Sequence, residues 1–247
     1  MVAAQVRRWG RGIVDVLLPH QCLRCHALVE SAGILCADCW AQLRFVDGPM
    51  CAVCGVPFDF DAGSGAHCGE CLRERPAYDR ARAALVYDDA SRPLILAFKN
   101  GDRTDAAPAF GRWMVHAGTD LLAAAEVITV VPLHWTRLLA RKYNQAALLA
   151  HAIGRIAGLP VAPDVLVRRR RTAKLGTLGP AARRAAVRGA VGAHSRRARR
   201  IADRRVLLVD DVHTTGATLA ACTRALLDAG AAGVDVLTLA RTVRSGG

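Results

Sequence analysis

Aromatic residues are scarce, with four Trp, three Tyr and five Phe among 247 residues. The Arg-rich stretch from Arg168 to Arg205 contains none of them, so it has no rings on which bases could stack. No apolar run approaches the ~20 residues that a bilayer-spanning helix requires, which excludes a membrane span. Acids are also in deficit, 21 against 34 Lys+Arg. The resulting formal charge of +13 and pI near 10.1 favour polyanionic partners: nucleic acid, phosphorylated metabolites or an anionic membrane surface. No small-residue cleavage site follows the basic and short apolar residues of MVAAQVRRWGRGIVDVLLP, and Asp15 interrupts them. The segment reads as an amphipathic lead-in with Trp9, Ile13, Val16 and Leu17 on one side, and the expected location is cytoplasmic. With 52% apolar residues the chain can bury one large core or two small ones, and disorder as the dominant state is excluded.

Eight of the nine cysteines fall into four C-x-x-C knuckles: Cys22 and Cys25, Cys36 and Cys39, Cys51 and Cys54, Cys68 and Cys71. A two-residue gap lets both thiolates of a knuckle face one ion, and two knuckles complete a tetrahedral four-sulfur zinc site. Four knuckles make two such sites. Disulfides would need an oxidising compartment, and a redox C-x-x-C is expected once rather than four times. Two pairings are open, consecutive or interleaved; the ribbon-like loops from Cys25 to Cys36 and from Cys54 to Cys68 favour the consecutive one. An all-thiolate site leaves no position for water, so this zinc folds the module rather than catalysing. His26 and His67 beside the knuckles read as solvated neighbours, and Cys222 as a buried small hydrophobe. This gives a cysteine-rich module over residues 1–76 and a second domain over 77–247.

Periodicity beyond the last knuckle predicts a strand at Ala84–Asp88, a helix at Ser91–Lys99 and another at about Pro108–Ala125. A buried strand follows at Val127–Val131, then a helix at about Asn144–Ala157. The stretch Arg168–Arg205 offers only Val187, Val191 and Ile201 as anchors past Leu178. A strand at Val206–Val209, a helix at Gly216–Ala229 and a strand at Val234–Leu239 complete the pattern. Such alternation makes an α/β fold with a parallel sheet covered on both faces.

The densest chemistry lies in VLLVDDVHTTGAT, Val206 to Thr218: an apolar strand, two acids, a Thr/Gly turn, then a helix. Ligands of parallel sheets sit at the carboxyl ends of strands, where a helix N-terminus offers unpaired N–H groups to a phosphate. Thr214, Thr215 and Thr218 add hydroxyl donors, and Gly216 allows close backbone approach. Asp210 and Asp211 cannot serve a phosphate; their partners are sugar hydroxyls, directly or through Mg²⁺. The segment DDVHTTGAT resembles the phosphoribosyl-pyrophosphate (PRPP) motif of type I phosphoribosyltransferases. The resemblance implies a type I phosphoribosyltransferase-like sheet in which Asp210 and Asp211 are the catalytic, ribose-binding pair, and Thr214, Thr215, Gly216, Ala217 and Thr218 bind the 5′-phosphate.

Further segments are similar to those of the ComF family: VVPLHWTRLLARKYNQAALLA at Val130–Ala150, AFKNGD at Ala97–Asp102, and Leu17-Leu18-Pro19 before the first cysteine. Members of that family carry a cysteine-rich zinc module ahead of a phosphoribosyltransferase domain and are implicated in DNA uptake during natural transformation. The resemblance implies a pyrophosphate loop at Pro132, Leu133 and His134, with Arg137, Arg141 and Lys142 neutralising the diphosphate and Asn144 and Gln145 opening the next helix. It implies PRPP and Mg²⁺ as ligands, structural Zn²⁺, and single-stranded DNA and a DNA-uptake helicase as partners. Lys99 belongs to the pattern without a derivable role.

The chain departs from the family before Val206. Arg183 is retained, but Leu175 and Ala186 stand where a Gln and an Asn are expected in the loop that closes over PRPP. Phosphoribosyl transfer passes through an oxocarbenium-like ribose, so the site must hold the diphosphate, fix the sugar and exclude water. Purine-salvage relatives carry an Asp where this chain has Thr214, which disfavours purine salvage; Asp203 is too far back in sequence to substitute, and His213 can either approach a base or face solvent. Two functions follow: phosphoribosyl transfer to an unidentified acceptor, or non-catalytic handling of nucleic acid with PRPP as ligand. Fourteen basic residues against the single acid Asp203 put the whole charge surplus in Arg168–Arg205, expected beside the PRPP site. Trp40, Phe45, Phe58 and Phe60 are the base-stacking candidates, with core packing as their alternative.

Overall fold

A computed structural model describes residues 20–100, 103–134, 136, 138, 139, 143–169 and 189–243. The expectations for Trp9 to Leu17, Arg137, Arg141, Lys142, Leu175, Arg183, Ala186 and Val187 lie outside these residues. Two short helices, α1 (Ala37–Ala41) and α2 (Gly69–Arg73), belong to the cysteine module. They are followed by β1 (Ala81–Val86), α3 (Arg92–Asn100), α4 (Ala107–Ala117), α5 (Thr119–Leu122), β2 (Val127–Val130) and α6 (Gln145–Ala157). Then come β3 (Leu166–Arg168), β4 (Val191–Ala193), α7 (Ser195–Ala198), β5 (Arg205–His213), α8 (Ala217–Leu227) and β6 (Gly233–Arg241).

Four strands form a parallel sheet in the order β1-β6-β5-β2. Every residue of β2 and β6 is buried, as expected for strands covered on both faces. Alternate residues of β5 enter different cores: Leu207 and Val209 on one side, Val206 and Leu208 on the other. The first core takes α4 and α6, which meet so closely that a Cβ on Gly111 would lie 2.7 Å from that of Ala152. The second takes Leu219, Cys222 and Leu226 of α8; Cys222 is fully buried. Helix α6 starts where the Asn144 side chain accepts from the Ala146 N–H and stops at Gly158 in the left-handed region.

Several boundaries differ from the pattern-based ones. The expected strand at Ala84–Asp88 begins three residues earlier and ends at Val86. Asp88 instead accepts from the N–H groups of Ala90 and Ser91, while the Ser91 hydroxyl donates to Val86, which turns the chain into α3. The expected helix to Ala125 divides at Gly118, where the Thr119 hydroxyl bonds back to the carbonyls of Val115 and His116. Strand β5 continues through both acids to His213 because β6 is long enough to pair it that far. The periodicity did not predict the antiparallel pair β3–β4, of which β3 ends at the first residue of the basic stretch and β4 lies within it.

The cysteine module grips the sheet at its β1 edge from both sides. Cys22, Leu23, Leu35, Cys39 and Leu43 enter the first core, whereas Cys51, Val53, Cys54 and Cys71 enter the second. Between them the chain lies along β1, with Val46 N–H donating to Ala84 and Val86 N–H to Arg44. Val53 accepts from Ala81 N–H at 2.6 Å. Gly55 adopts φ +67, and a Cβ there would stand 2.4 Å from the Ala81 carbonyl oxygen, so only glycine fits this approach.

Candidate functional site

The carboxyl end of β5 carries the acids into a concavity lined by Asp210, Val212, Thr214–Leu219. Gly216 turns the chain at φ 71 into α8, whose first-turn N–H groups have no intrahelical acceptor. Asp210 accepts from the Asp211 N–H at 2.9 Å. Burial, reinforced by the neighbouring charge of Asp211, pushes the Asp210 carboxyl up to about 7. Two cations pull the other way. Lys99 of α3 places Nζ 3.1 Å from Asp211 Oδ1, and the positive charge of Arg168, at the end of β3, also acts on Asp210.

Val131 N–H donates to Val209, so Pro132, Leu133 and His134 emerge at the same end of the sheet as the acids. The base of this loop is tied to the end of α3: Gln145 Nε2 donates to the Lys99 carbonyl at 2.8 Å, and the Tyr143 hydroxyl to that of Phe98 at 3.2 Å. Asn144 Nδ2 holds Val131 at 3.2 Å. Asn144 and Gln145 therefore use their side chains to fix the loop. His134 is buried rather than solvated, with Nδ1 2.9 Å from the Thr136 hydroxyl.

His213 does not project toward a ligand. Its ring is buried beneath the turn, edge-on to Tyr78 at 6.0 Å, with Nε2 3.0 Å from where a Cβ on Gly216 would lie. Burial and the charge of Arg241 push its imidazole down to about 3, so it is neutral near pH 7.

The cysteines gather consecutively: Cys22, Cys25, Cys36 and Cys39 in one cluster, Cys51, Cys54, Cys68 and Cys71 in the other, with the sulfurs of each within 4.8 Å of one another. Sulfurs bound tetrahedrally at ~2.3 Å from zinc stand about 3.8 Å apart. The Sγ separations of 3.6 Å for Cys25–Cys36 and for Cys54–Cys68 fit that geometry. The clusters repeat a second feature: Cys36 N–H points to Cys22 Sγ and Cys68 N–H to Cys51 Sγ, each at 3.3 Å. Burial raises the Cys22 and Cys51 thiols, but backbone N–H donors outweigh it and bring them down to about 6 and about 7, whereas burial and the neighbouring sulfurs push Cys39, Cys54 and Cys71 up. His26 and His67 are exposed and outside both clusters.

Of the basic stretch expected beside the acids, Arg196–Arg205 lies instead at the far end of the sheet, Arg168 acts on Asp210, and residues 170–188 lie outside the described residues. Arg197 and Arg200 pair with Asp164, and Arg205 with Asp79 and the buried Asp235, which Arg80 also holds. An open groove of about 600 Å³ runs beside the amino ends of β2 and β5, lined by Val127, Pro160, Val161, Ala162, Arg199, Arg200 and Arg204. The base-stacking candidates divide: Phe45 and Phe58 are partly buried against the cores, whereas Trp40 and Phe60 keep much of their rings exposed. Trp40 and Phe45 meet Trp113 of α4 at 5.6 and 5.5 Å, and Phe58 lies against the second core with exposed Phe60 stacked on it at 6.0 Å.

Two family models match the chain, a double zinc ribbon domain over residues 13–72 and a phosphoribosyl transferase domain over residues 142–246. Competence protein F of Haemophilus influenzae is 31% identical over 227 residues, spanning 90% of this chain and 96% of that protein. DNA utilization protein YhgH of Escherichia coli K12 is 31% identical over 214 residues, 85% of this chain and 91% of that protein. Among solved structures, the allosteric regulatory enzyme of purine biosynthesis is 21% identical, with a TM-score of 0.38. That match takes in 58% of this chain and 30% of the enzyme. No helix among the described residues is long and apolar enough to cross a membrane. Sequence relatives spanning nearly the whole chain, a phosphoribosyltransferase-type parallel sheet and two four-cysteine ribbons agree: the chain belongs to the ComF family.

Proposed function

We propose that this protein binds PRPP with Mg²⁺ at the carboxyl end of β5 and transfers its phosphoribosyl group to an acceptor. The observation that carries this reading is the half-buried acid pair followed closely by the Gly216 turn and the open N-terminus of α8. Asp210 and Asp211 accept hydrogen bonds from the ribose 2′ and 3′ hydroxyls. Thr214, Thr215, Gly216, Ala217 and Thr218 receive the 5′-phosphate through N–H and hydroxyl donors. Pro132, Leu133 and His134, with Arg141 and Lys142, take the diphosphate. The C1′–O bond to pyrophosphate breaks, the acceptor forms the new bond to C1′, and pyrophosphate leaves with the electron pair. The carboxylates offset the positive charge that develops on the ribose. Mg²⁺, when bound, neutralises the departing diphosphate.

Calorimetry with PRPP and Mg²⁺ on the wild type and on Asp210→Asn with Asp211→Asn tests the site. The double variant is expected to lose binding, and equal affinities would overturn the assignment. Pyrophosphate release on addition of candidate acceptors separates a transferase from a non-catalytic binder. The wider reading is a cytoplasmic chain with its module boundary at 76/77, about two structural zinc ions, and a DNA-uptake helicase as protein partner.

A second reading, nucleic-acid handling, is favoured by the groove lined by Arg199, Arg200 and Arg204. Among the described residues the guanidinium groups of Arg199 and Arg204 pair with no acid, so they are available to phosphates. The groove and the acids occupy opposite ends of the sheet, so single-stranded DNA and PRPP need not compete. Replacing the three arginines by Gln is expected to reduce the affinity and salt dependence of single-stranded DNA binding and to leave PRPP binding intact. Unchanged salt dependence would exclude the groove.

A further inference from the structure

We propose that the second cysteine cluster, and not the first, holds the phosphate loop in its binding shape, acting through Arg241, Tyr78 and His213 as positioning residues. The ligand named here rests on the PRPP reading above; the linkage itself rests on contacts.

Arg241, at the end of β6, is buried, and its Nη1 donates to the carbonyl of Cys54, a member of the second cluster. Strand register sets Arg241 beside His213. The next residue completes the tie: Thr242 N–H donates to the His213 carbonyl at 2.9 Å, and its hydroxyl reaches the Thr214 carbonyl at 3.4 Å. Tyr78 shares the second core with Cys51, Cys54 and Cys71 and turns its ring edge-on to His213. His213 in turn fills the space below Gly216, whose backbone conformation starts α8. The path from cluster to loop is thus continuous and buried.

The first cluster has a different neighbourhood. Its Cys22 and Cys39 enter the opposite core, where Trp40 and Phe45 of the same ribbon pack on Trp113. Loss of its ion would disturb α4. Loss of the second ion would release the Cys54 knuckle and leave a buried guanidinium without its acceptor. Such a group must move to find another partner, and close packing passes the displacement to His213 and Gly216.

The consequence is a split between ligands, because the 5′-phosphate and the diphosphate use different loops. The experiment compares full-length wild type, Cys22→Ser with Cys25→Ser, Cys51→Ser with Cys54→Ser, and Arg241→Gln, which retains all eight zinc-cluster cysteines. Calorimetry reads affinity for ribose 5-phosphate and for magnesium pyrophosphate, and amide exchange reads the backbone of residues 214–218. Arg241→Gln is expected to keep its zinc, weaken ribose 5-phosphate about tenfold, speed exchange at 214–218 and leave pyrophosphate affinity unchanged. The second-cluster variant should follow it, and the first-cluster variant should resemble wild type. Wild-type exchange and ribose 5-phosphate affinity in Arg241→Gln would overturn the inference, as would equal loss from emptying either cluster. If the wild type binds neither ligand, the PRPP reading fails while amide exchange still decides the linkage.

Discussion

Lys99 and Asp211 stand 3.1 Å apart across the mouth of the site, one on a helix and the other at the end of the neighbouring sheet. The ammonium offsets part of the repulsion between adjacent carboxylates, and it also lowers the proton affinity of Asp210, which remains near 7. On the PRPP reading proposed above, the ionised form is the one that serves ribose and magnesium. Affinity for PRPP with Mg²⁺ is therefore expected to rise as pH increases through 7 and to fall by up to about tenfold for each unit below it. In Lys99→Met the midpoint should move to higher pH. Calorimetry at several pH values between 5.5 and 8.5 checks both; coincident profiles would remove Lys99 from the acid pair.

Asp210 also makes the free protein less stable at high pH. Its folded-state proton affinity is raised, so between the unfolded carboxylate range and about 7 the folded state binds more protons, and stability declines as pH rises. Asp210→Asn removes that charge. Its melting temperature should exceed that of the wild type by several degrees at pH 8, by less at pH 5, and match it only below about pH 4, where the carboxyl is protonated folded and unfolded alike, measured by calorimetry without ligand.

His213 contributes the opposite slope. Its proton affinity is depressed to about 3, so the unfolded chain takes up a proton that the folded one refuses. Stability from this residue is complete above the ordinary histidine range and is lost as pH falls from about 6.5 toward 3. His213→Gln is expected to flatten the acid limb of the stability curve over that window. An acid limb as steep as that of the wild type would show that the imidazole does not carry it.

Gly55→Ala tests the approach of the ribbon to β1. The left-handed backbone and the 2.4 Å distance to the Ala81 carbonyl oxygen leave no room for a methyl group. A destabilisation of about 2–4 kcal/mol is expected. Gly48→Ala, where nothing stands within 4 Å, is the control and should melt with the wild type.

What could be read in the sequence was local. Ligand spacing made both cysteine clusters legible, because two residues of separation already determine where two sulfurs point. The run from Val206 to Thr218 was legible because strand, acids, turn and helix are contiguous. The partners of the acid pair were not, since Lys99 and Arg168 reach it from separate elements and only the sheet topology brings them together. Strands β3 and β4 are three residues each and carry Arg or Gly where alternation would show. The segment Arg196–Arg205 misled for a related reason: charge counted along a chain does not record which end of a strand it reaches, and this segment leads into the amino end of β5. Gly118 divided a helix whose apolar pattern continued, because the glycine meets Leu237 so closely that a Cβ would lie 2.8 Å from its side chain.

The order β1-β6-β5-β2 has a consequence for synthesis. The strand that joins the ribbon-clamped edge to the acid-bearing strand is the last of the six to leave the ribosome. Until residues as far as Arg241 have emerged, β1 with its ribbons and β5 with its loop have no hydrogen-bonded link, so a nascent chain can hold metal before it can hold phosphate. Truncation before Gly233 should leave a metal-binding fragment without a completed site. The last strand is therefore the checkpoint of assembly.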